Sequence, residues 1–243
     1  MPEGPSIIVF KEQLTDFENK TVTEASGYGE MPKERLQNIR LQRVDSFGKN
    51  LLFVFDGFFV SVHFGLFGRM LVNDRKKVNP SFALHFPDGE INFYVARTKL
   101  HEGAPESVYD FRTDIMRPEF DADYVQGLLK SNYAEANIGD ALLDQNIFAG
   151  SGNIIRVDAL YLSGIHPDSK IKDVPAAKLQ EVIDTTVVVA QDFLLRIPLG
   201  TVKKEAAAYG KKNCPKHDIP LIMANPGKTK RKSYVCEKCQ QRY

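Results

Sequence analysis

The chain has 243 residues, 43% of them hydrophobic and 26% charged, with a formal net charge of +1. That length and apolar content suffice for two domains with cores of their own. No apolar run reaches the roughly 20 residues of a membrane-spanning helix, and the start lacks a basic-then-apolar signal region, so a cytosolic protein with no membrane partner is expected.

After Pro5, the residues Ile7, Phe10, Leu14 and Phe17 recur at spacings of three, four and three, which predicts one apolar helix face. From about Leu41 to Phe93 the texture changes to short β-branched and aromatic runs. These predict strands at Leu51–Phe55, Phe59–His63, Met70–Val72, Phe82–Phe86 and Ile91–Tyr94, with Asp56-Gly57 and Asp88-Gly89 as tight turns. Their natural product is an antiparallel sandwich or flattened barrel. Around Arg112 to Asp123 the pattern turns polar and Pro118 interrupts it, so the expected division is an N-terminal β-sandwich domain at 1–118, a helical domain at 119–205 and a finger at 206–243. In the second half, helices are predicted from Ile138 to Asn146, from Asn153 to about Ser163 and from about Ala176 to Leu195. A break at Ala149-Gly150-Ser151-Gly152 separates the first two, and Gly164 and Pro167 stop the second. A glycine turn feeding Asn153 at a helix start presents backbone N–H groups and an amide together, which suits a phosphate oxygen.

All three cysteines lie in the last thirty residues, in the pattern Cys214-x2-His217-x18-Cys236-x2-Cys239. Two pairs of soft ligands at this spacing can surround one Zn²⁺ tetrahedrally, and a closed four-ligand site is structural rather than catalytic. The clustering argues against a disulfide framework and for a reducing compartment. Between the pairs runs Asn225-Pro226-Gly227-Lys228-Thr229-Lys230-Arg231-Lys232, so the metal would brace a basic tip. From Thr201 onward there are 11 Lys and Arg against 3 Asp and Glu, a balance of +8, which leaves −7 for the first 200 residues. The positive end is therefore the one that faces a polyanion. At the other end, a small residue after Met1 permits removal of the initiator, leaving Pro2 as a secondary amine beside Glu3. Such a pair can form a Schiff base on a sugar carbon, with the carboxylate moving protons.

Taken together these segments resemble the formamidopyrimidine-DNA glycosylase and endonuclease VIII family. The likeness runs through Pro2-Glu3-Gly4-Pro5, Ser46-Phe47-Gly48-Lys49-Asn50-Leu51-Leu52 and His63-Phe64-Gly65-Leu66-Phe67-Gly68. It continues through Leu142-Leu143-Asp144-Gln145 to Ala149-Gly150-Ser151-Gly152-Asn153-Ile154, and through Tyr209-Gly210 to Cys214 and Arg231. It implies an α+β, two-domain fold: an N-terminal antiparallel β-sandwich with flanking helices, then a C-terminal helical domain with a helix-two-turns-helix motif and a zinc finger. It also implies a bifunctional DNA glycosylase and abasic-site lyase that excises oxidised bases and nicks the strand by β,δ-elimination. On that resemblance Pro2 is the nucleophile at C1′, Glu3 shuttles protons, and Lys49 is an essential lysine. Lys49, His63, Asn153 and Arg231 grip phosphates around a flipped nucleotide in damaged double-stranded DNA. Leu66 fills the vacated place in the stack, and a monomer holding one structural Zn²⁺ is expected.

The chain departs from the family pattern at Ser6 and at Asp158, where the family usually carries glutamate, and its Arg196–Tyr209 stretch is short for the loop that covers an oxidised purine. Two other readings use the same residues. One is a non-catalytic protein that binds damaged or abasic DNA through the same clamp; the other is a zinc-ribbon module recruiting protein or RNA, which leaves Pro2, Glu3 and Lys49 without a purpose.

Overall fold

The structure, a computed structural model of the chain, describes residues 2–243. They divide into two compact units after Asp110.

The first unit opens with helix α1 (Gly4–Glu12). Pro5 suits its first turn, because the ring pre-sets φ and the missing N–H is one that a helix start leaves unpaired anyway. Ile7 is fully buried, and Phe10 packs its ring 4.8 Å from that of Phe64. The helix ends at Glu12, earlier than the apolar spacing predicts; a single 3-10 turn at Thr15–Phe17 carries Leu14 and Phe17 into the core instead.

The strands, in chain order, are β1 (Thr21–Val22), β2 (Glu24–Ser26), β3 (Ile39–Arg40), β4 (Arg43–Phe47), β5 (Asn50–Val54), β6 (Phe58–His63), β7 (Arg69–Val72), β8 (Phe82–Phe86), β9 (Gly89–Tyr94) and β10 (Arg97–Glu102). They form two four-stranded antiparallel sheets, ordered β10-β6-β5-β4 and β2-β8-β9-β7, and β1 pairs with β3. The sandwich expected from the sequence is thus present. Leu51, Phe53, Val60 and Val62 of one sheet share a core with Leu84, Ile91 and Phe93 of the other. Phe53 meets Phe93 edge-on at 5.8 Å, an arrangement favoured by the ring quadrupoles. Leu52 and Phe59 are also fully buried, on the opposite face of their sheet, where His101 stacks on Phe59 at 4.5 Å and Tyr109 on Phe47 at 4.4 Å. Coverage on both faces explains why the β5 run is continuously apolar rather than alternating.

Asp56-Gly57 closes the β5–β6 hairpin as predicted. The second turn lies one residue earlier than expected: Phe86 pairs with Gly89, so Pro87 and Asp88 form the turn. β4 and β10 carry polar residues where the predicted strands carry apolar runs. β4 carries the buried polar residues Asp45 and Ser46, the former accepting from Lys11 Nζ at 3.2 Å and from the Ser46 N–H at 2.8 Å. β10 is a polar edge strand whose charged side chains discourage further pairing.

In the second unit, helix α2 (Ala122–Asn132) is capped by Asp121, whose carboxylate accepts the Tyr124 N–H at 2.9 Å. Residues 111–118 belong here rather than to the sandwich. Ile115 N–H donates to Ala149 O at 3.1 Å, Ala149 N–H to Thr113 O at 2.9 Å, and Asp121 N–H to Arg112 O at 3.0 Å. Helix α3 (Ile138–Ala141) is a single turn and does not reach Asn146, because Asp144 Oδ1 accepts from both the backbone and the amide of Asn146 and offers the chain a local alternative to helix. Two turns follow, zipped by Gln145, which donates to Leu143 O and Ser151 O and accepts from the Gly150 N–H. Helix α4 (Asn153–Leu162) completes the helix-two-turns-helix motif. Helix α5 (Ala176–Arg196) buries Leu179, Val182, Ile183, Thr186, Val189, Ala190 and Phe193. The finger hairpin, β11 (Ile222–Ala224) with β12 (Ser233–Val235), is not a separate body, since Val157 and Tyr161 of α4 share a cluster with Ala208, Cys214, Leu221 and Cys236. No helix among the described residues is long and apolar enough to cross a membrane.

Candidate active site

In the first unit, Glu3 is the N-cap of α1 and only 2% exposed, directly after the half-buried Pro2. The expected removal of Met1 concerns a residue outside those described. Lys49 sits at the tip of the β4–β5 hairpin. Phe47 pairs with Asn50, leaving Gly48 and Lys49 as a two-residue turn that requires the φ of +55° adopted by Gly48. Because α1 packs on β4 and β5, the chain start and this hairpin share one side of the sandwich.

His63 ends β6, opposite Asn50 on one neighbouring strand and Arg97 on the other. Burial lowers its pKa, and the charges of Lys49 and Arg97 lower it further, so at neutral pH it is an uncharged imidazole. The Gly65 N–H donates to its Nδ1 at 3.2 Å, which leaves Nε2 as the N–H available to a phosphate oxygen. Lys49, His63 and Arg97 therefore form one anion-seeking group. Arg97 is the member that sequence reasoning missed, because its strand has no apolar signal. Just before it, Val95 holds φ at +56°, a strained state for a β-branched residue, in the turn that launches β10. Leu66 is 56% exposed and Phe67 75% exposed in the loop after β6, which is pinned by the Gly68 N–H to Phe64 O bond at 2.7 Å. Leu66 is therefore no core residue.

In the second unit, Arg231 is exposed in the loop leading to β12. Asn153 begins α4, as the sequence predicts, but its amide faces the finger, with Nδ2 donating to Lys232 O at 2.9 Å. The structure thus joins Asn153 to the segment that carries Arg231.

The four metal-ligand candidates do converge. Their ligand atoms all lie within 4.8 Å of one another. Cys214 Sγ is 3.6 Å from both His217 Nδ1 and Cys239 Sγ, and His217 Nδ1 is 3.7 Å from Cys236 Sγ and 3.3 Å from Cys239 Sγ. Bond lengths of about 2.3 Å for Zn–S and 2.0–2.1 Å for Zn–N give tetrahedral edges of about 3.5–3.8 Å, so Cys214, His217, Cys236 and Cys239 fit Zn²⁺. Tyr161 supports the set with its hydroxyl 3.2 Å from Cys214 Sγ.

Residues 1–101 match the formamidopyrimidine-DNA glycosylase N-terminal domain, and residues 112–195 match the formamidopyrimidine-DNA glycosylase H2TH domain. The chain belongs to the formamidopyrimidine-DNA glycosylase and endonuclease VIII family. It is 31% identical over 198 residues to endonuclease 8-like 2 of Bos taurus, covering 75% of this chain and 58% of that one. It is 27% identical over 208 residues to endonuclease 8-like 3 of Mus musculus, covering 82% of this chain and 34% of that one, so it spans between about a third and three fifths of these relatives. The formamidopyrimidine-DNA glycosylase of Mycolicibacterium smegmatis is 27% identical, with 100% of this chain and 98% of the relative covered. Among solved structures, the Lactococcus lactis formamidopyrimidine-DNA glycosylase bound non-covalently to DNA containing an AP site superimposes with a TM-score of 0.83 at 19% identity, over 99% of this chain and 100% of that one. A viral DNA glycosylase does so at 0.82 and 20% identity, over 98% and 100%.

Within the family frame, the two acidic departures read differently. Ser6 lies in the first turn of α1, where its N–H donates to Glu3 O at 2.8 Å, so it supports the helix start but supplies no acid. Asp158, although one methylene shorter than the family's glutamate, is fully engaged. It is 5% exposed and accepts the N–H groups of Ala207, Ala208 and Tyr209 at 2.8, 2.9 and 2.9 Å. Burial lifts its carboxyl above the usual range while those three bonds oppose the rise. The short stretch after α5 is held too, with Arg196 donating to Glu205 O and pairing with its carboxylate.

Proposed function

We propose that the chain is a base-excision DNA glycosylase with abasic-site lyase activity, acting on oxidised bases in duplex DNA. The observation that carries this reading is the buried Glu3 carboxylate at the N-cap of α1, next to the only residue whose amine becomes a secondary nucleophile once Met1 is gone. In the proposed reaction, the Pro2 nitrogen attacks C1′, the C1′–N bond breaks and the base leaves with a proton supplied through Glu3. Ring opening breaks C1′–O4′ as O4′ takes a proton, and gives an iminium that withdraws electrons, so C2′ loses a proton and the 3′ phosphate departs. A further elimination expels the 5′ phosphate, and water hydrolyses the iminium to free Pro2. Lys49, the neutral His63 and Arg231 serve as phosphate contacts, and none of them reads sequence, which suits damage repair. Bound zinc would supply only structural bracing of the finger.

Borohydride trapping tests this directly. Protein whose Met1 loss is verified by mass spectrometry is incubated with duplexes bearing an oxidised pyrimidine, an oxidised purine or an abasic site. A covalent adduct through Pro2 is expected with at least one of them; no adduct with any would overturn the enzyme reading. Tight binding to abasic duplex without an adduct would instead favour a non-catalytic damage-binding protein.

A further inference from the structure

Helix α4 sends a charged side chain into the interior. Arg156 is fully buried, on a helix whose neighbouring positions are apolar. Its Nη2 donates to Arg231 O at 3.2 Å, Lys232 O at 3.1 Å and Ser233 Oγ at 2.6 Å, and its Nη1 lies 3.5 Å from Gly139 O. Burying a guanidinium is costly, and an apolar side chain of similar length would fill the space without that cost. What the charge provides is a set of fixed donors to three consecutive residues, beginning with Arg231 itself. Asn153, one turn earlier on the same helix face, adds its bond to Lys232 O.

The other end of the loop is gripped from α3. Asp140 accepts the Lys228 N–H at 2.7 Å, the Thr229 N–H at 3.1 Å and the Thr229 hydroxyl at 2.6 Å, while the Gly227 N–H donates to Asp168 at 3.1 Å. Gly227 has a φ of +68°, and a Cβ there would collide with the Asp140 carboxylate, so the approach depends on glycine. Burial opposes the Asp140 charge, but its bonds to Thr229 and Lys228 and the nearby Arg156 bring its pKa below the ordinary value. The exposed residues Lys230 and Arg231 thus lie between two clamps, neither of which includes a metal ligand.

We infer that Arg156 and Asp140 are positioning residues that set the register of Arg231 for its phosphate contact, and that they form a brace of the finger loop independent of zinc. The DNA half of this inference rests on the proposed phosphate contact of Arg231. The brace itself does not.

The test compares Arg156→Met, Arg156→Lys, Asp140→Asn, Arg231→Ala and the Arg156→Met/Arg231→Ala double variant, each checked for zinc content and far-UV circular dichroism. In DNA-free protein, Arg156→Met should speed amide exchange in 222–224 and 233–235 by about tenfold or more with zinc retained. After chelation, these amides should stay protected in the wild type and lose protection in Arg156→Met. On duplex carrying an abasic analogue, Arg156→Met should reduce the log–log salt slope by about 0.9. Arg231→Ala should do the same and the double variant no more, with Arg156→Lys recovering part of the loss. Wild-type exchange in Arg156→Met, or loss of protection by chelation alone, would overturn the brace. Additive losses in the double variant would overturn the positioning role. If Arg156→Met does not fold, Asp140→Asn decides the same questions from the other clamp. An unchanged slope in Arg231→Ala would refute the phosphate contact alone, because the exchange data would still decide the brace.

Discussion

Replacing Asp158 by alanine should destabilise the second unit severely without touching the chemistry at Pro2. The carboxylate is 5% exposed and is acceptor to the backbone N–H groups of Ala207, Ala208 and Tyr209. Each N–H left without an acceptor costs about 1–3 kcal/mol, so the three together cost about 3–9 kcal/mol, with water entering the vacated space setting the lower end. Domains of this kind are stable by only about 5–15 kcal/mol. At about 2–4 °C per kcal/mol for a chain of this size, the melting temperature should fall by about 6 °C or more. Asp158→Asn is the graded control. It keeps one oxygen for Ala208 and Tyr209 but turns an NH2 toward the Ala207 N–H, and it should cost about 2 kcal/mol. Urea unfolding followed by far-UV circular dichroism measures both, with abasic-site trapping as a readout of Pro2. If Asp158→Ala unfolds at the wild-type urea midpoint with an unchanged m-value, the three bonds carry no stability and the account of this departure from the family is wrong.

Truncating Phe53 to alanine, at the centre of the sandwich and against Phe93, should cost about 3–5 kcal/mol in the same assay. His63 should titrate below about 6.5 when followed by NMR. Because its folded pKa is depressed, the unfolded chain takes up the proton first as pH falls, so stability is lost downward from about 6.5 to the folded pKa. Protonation there should also steepen the salt dependence of DNA binding, by up to about 0.9 in log–log slope between pH 7.5 and a pH below the folded pKa. Metal analysis should find one zinc per chain. Cys214→Ser should reduce that content, while a free abasic sugar is still attacked slowly by Pro2. Leu66→Ala should slow base release more than strand scission at a preformed abasic site, since only base release requires the stack to be filled behind an extruded base.

Much of the site was readable from the chain because its chemistry is carried by local patterns. The zinc quartet is two short pairs, each closed by its own turn, so spacing alone defines it. The helix starting at Asn153 and the hairpin turn at Asp56-Gly57 depend on glycine at defined positions, and the strands of the inter-sheet core announce themselves by apolar runs. The polar elements were hidden for a related reason. β4 and β10 are held by ladder partners and by long-range bonds such as Lys11 to Asp45, and the helix predicted to Asn146 is cut short at Ala141 by an Asp144 side-chain bond that outcompetes the helix. Residue types and spacings determined which groups are present: a proline beside a carboxylate, a lysine in a tight hairpin, four soft ligands and a basic loop. Only the tertiary structure decided what each long-range polar group is for, because contacts between residues about 30 to 90 positions apart leave no periodic trace. That is how Asp158 comes to hold Ala207–Tyr209, how Arg97 joins His63 and Lys49, and how Arg156 and Asp140 come to clamp the loop that presents Arg231.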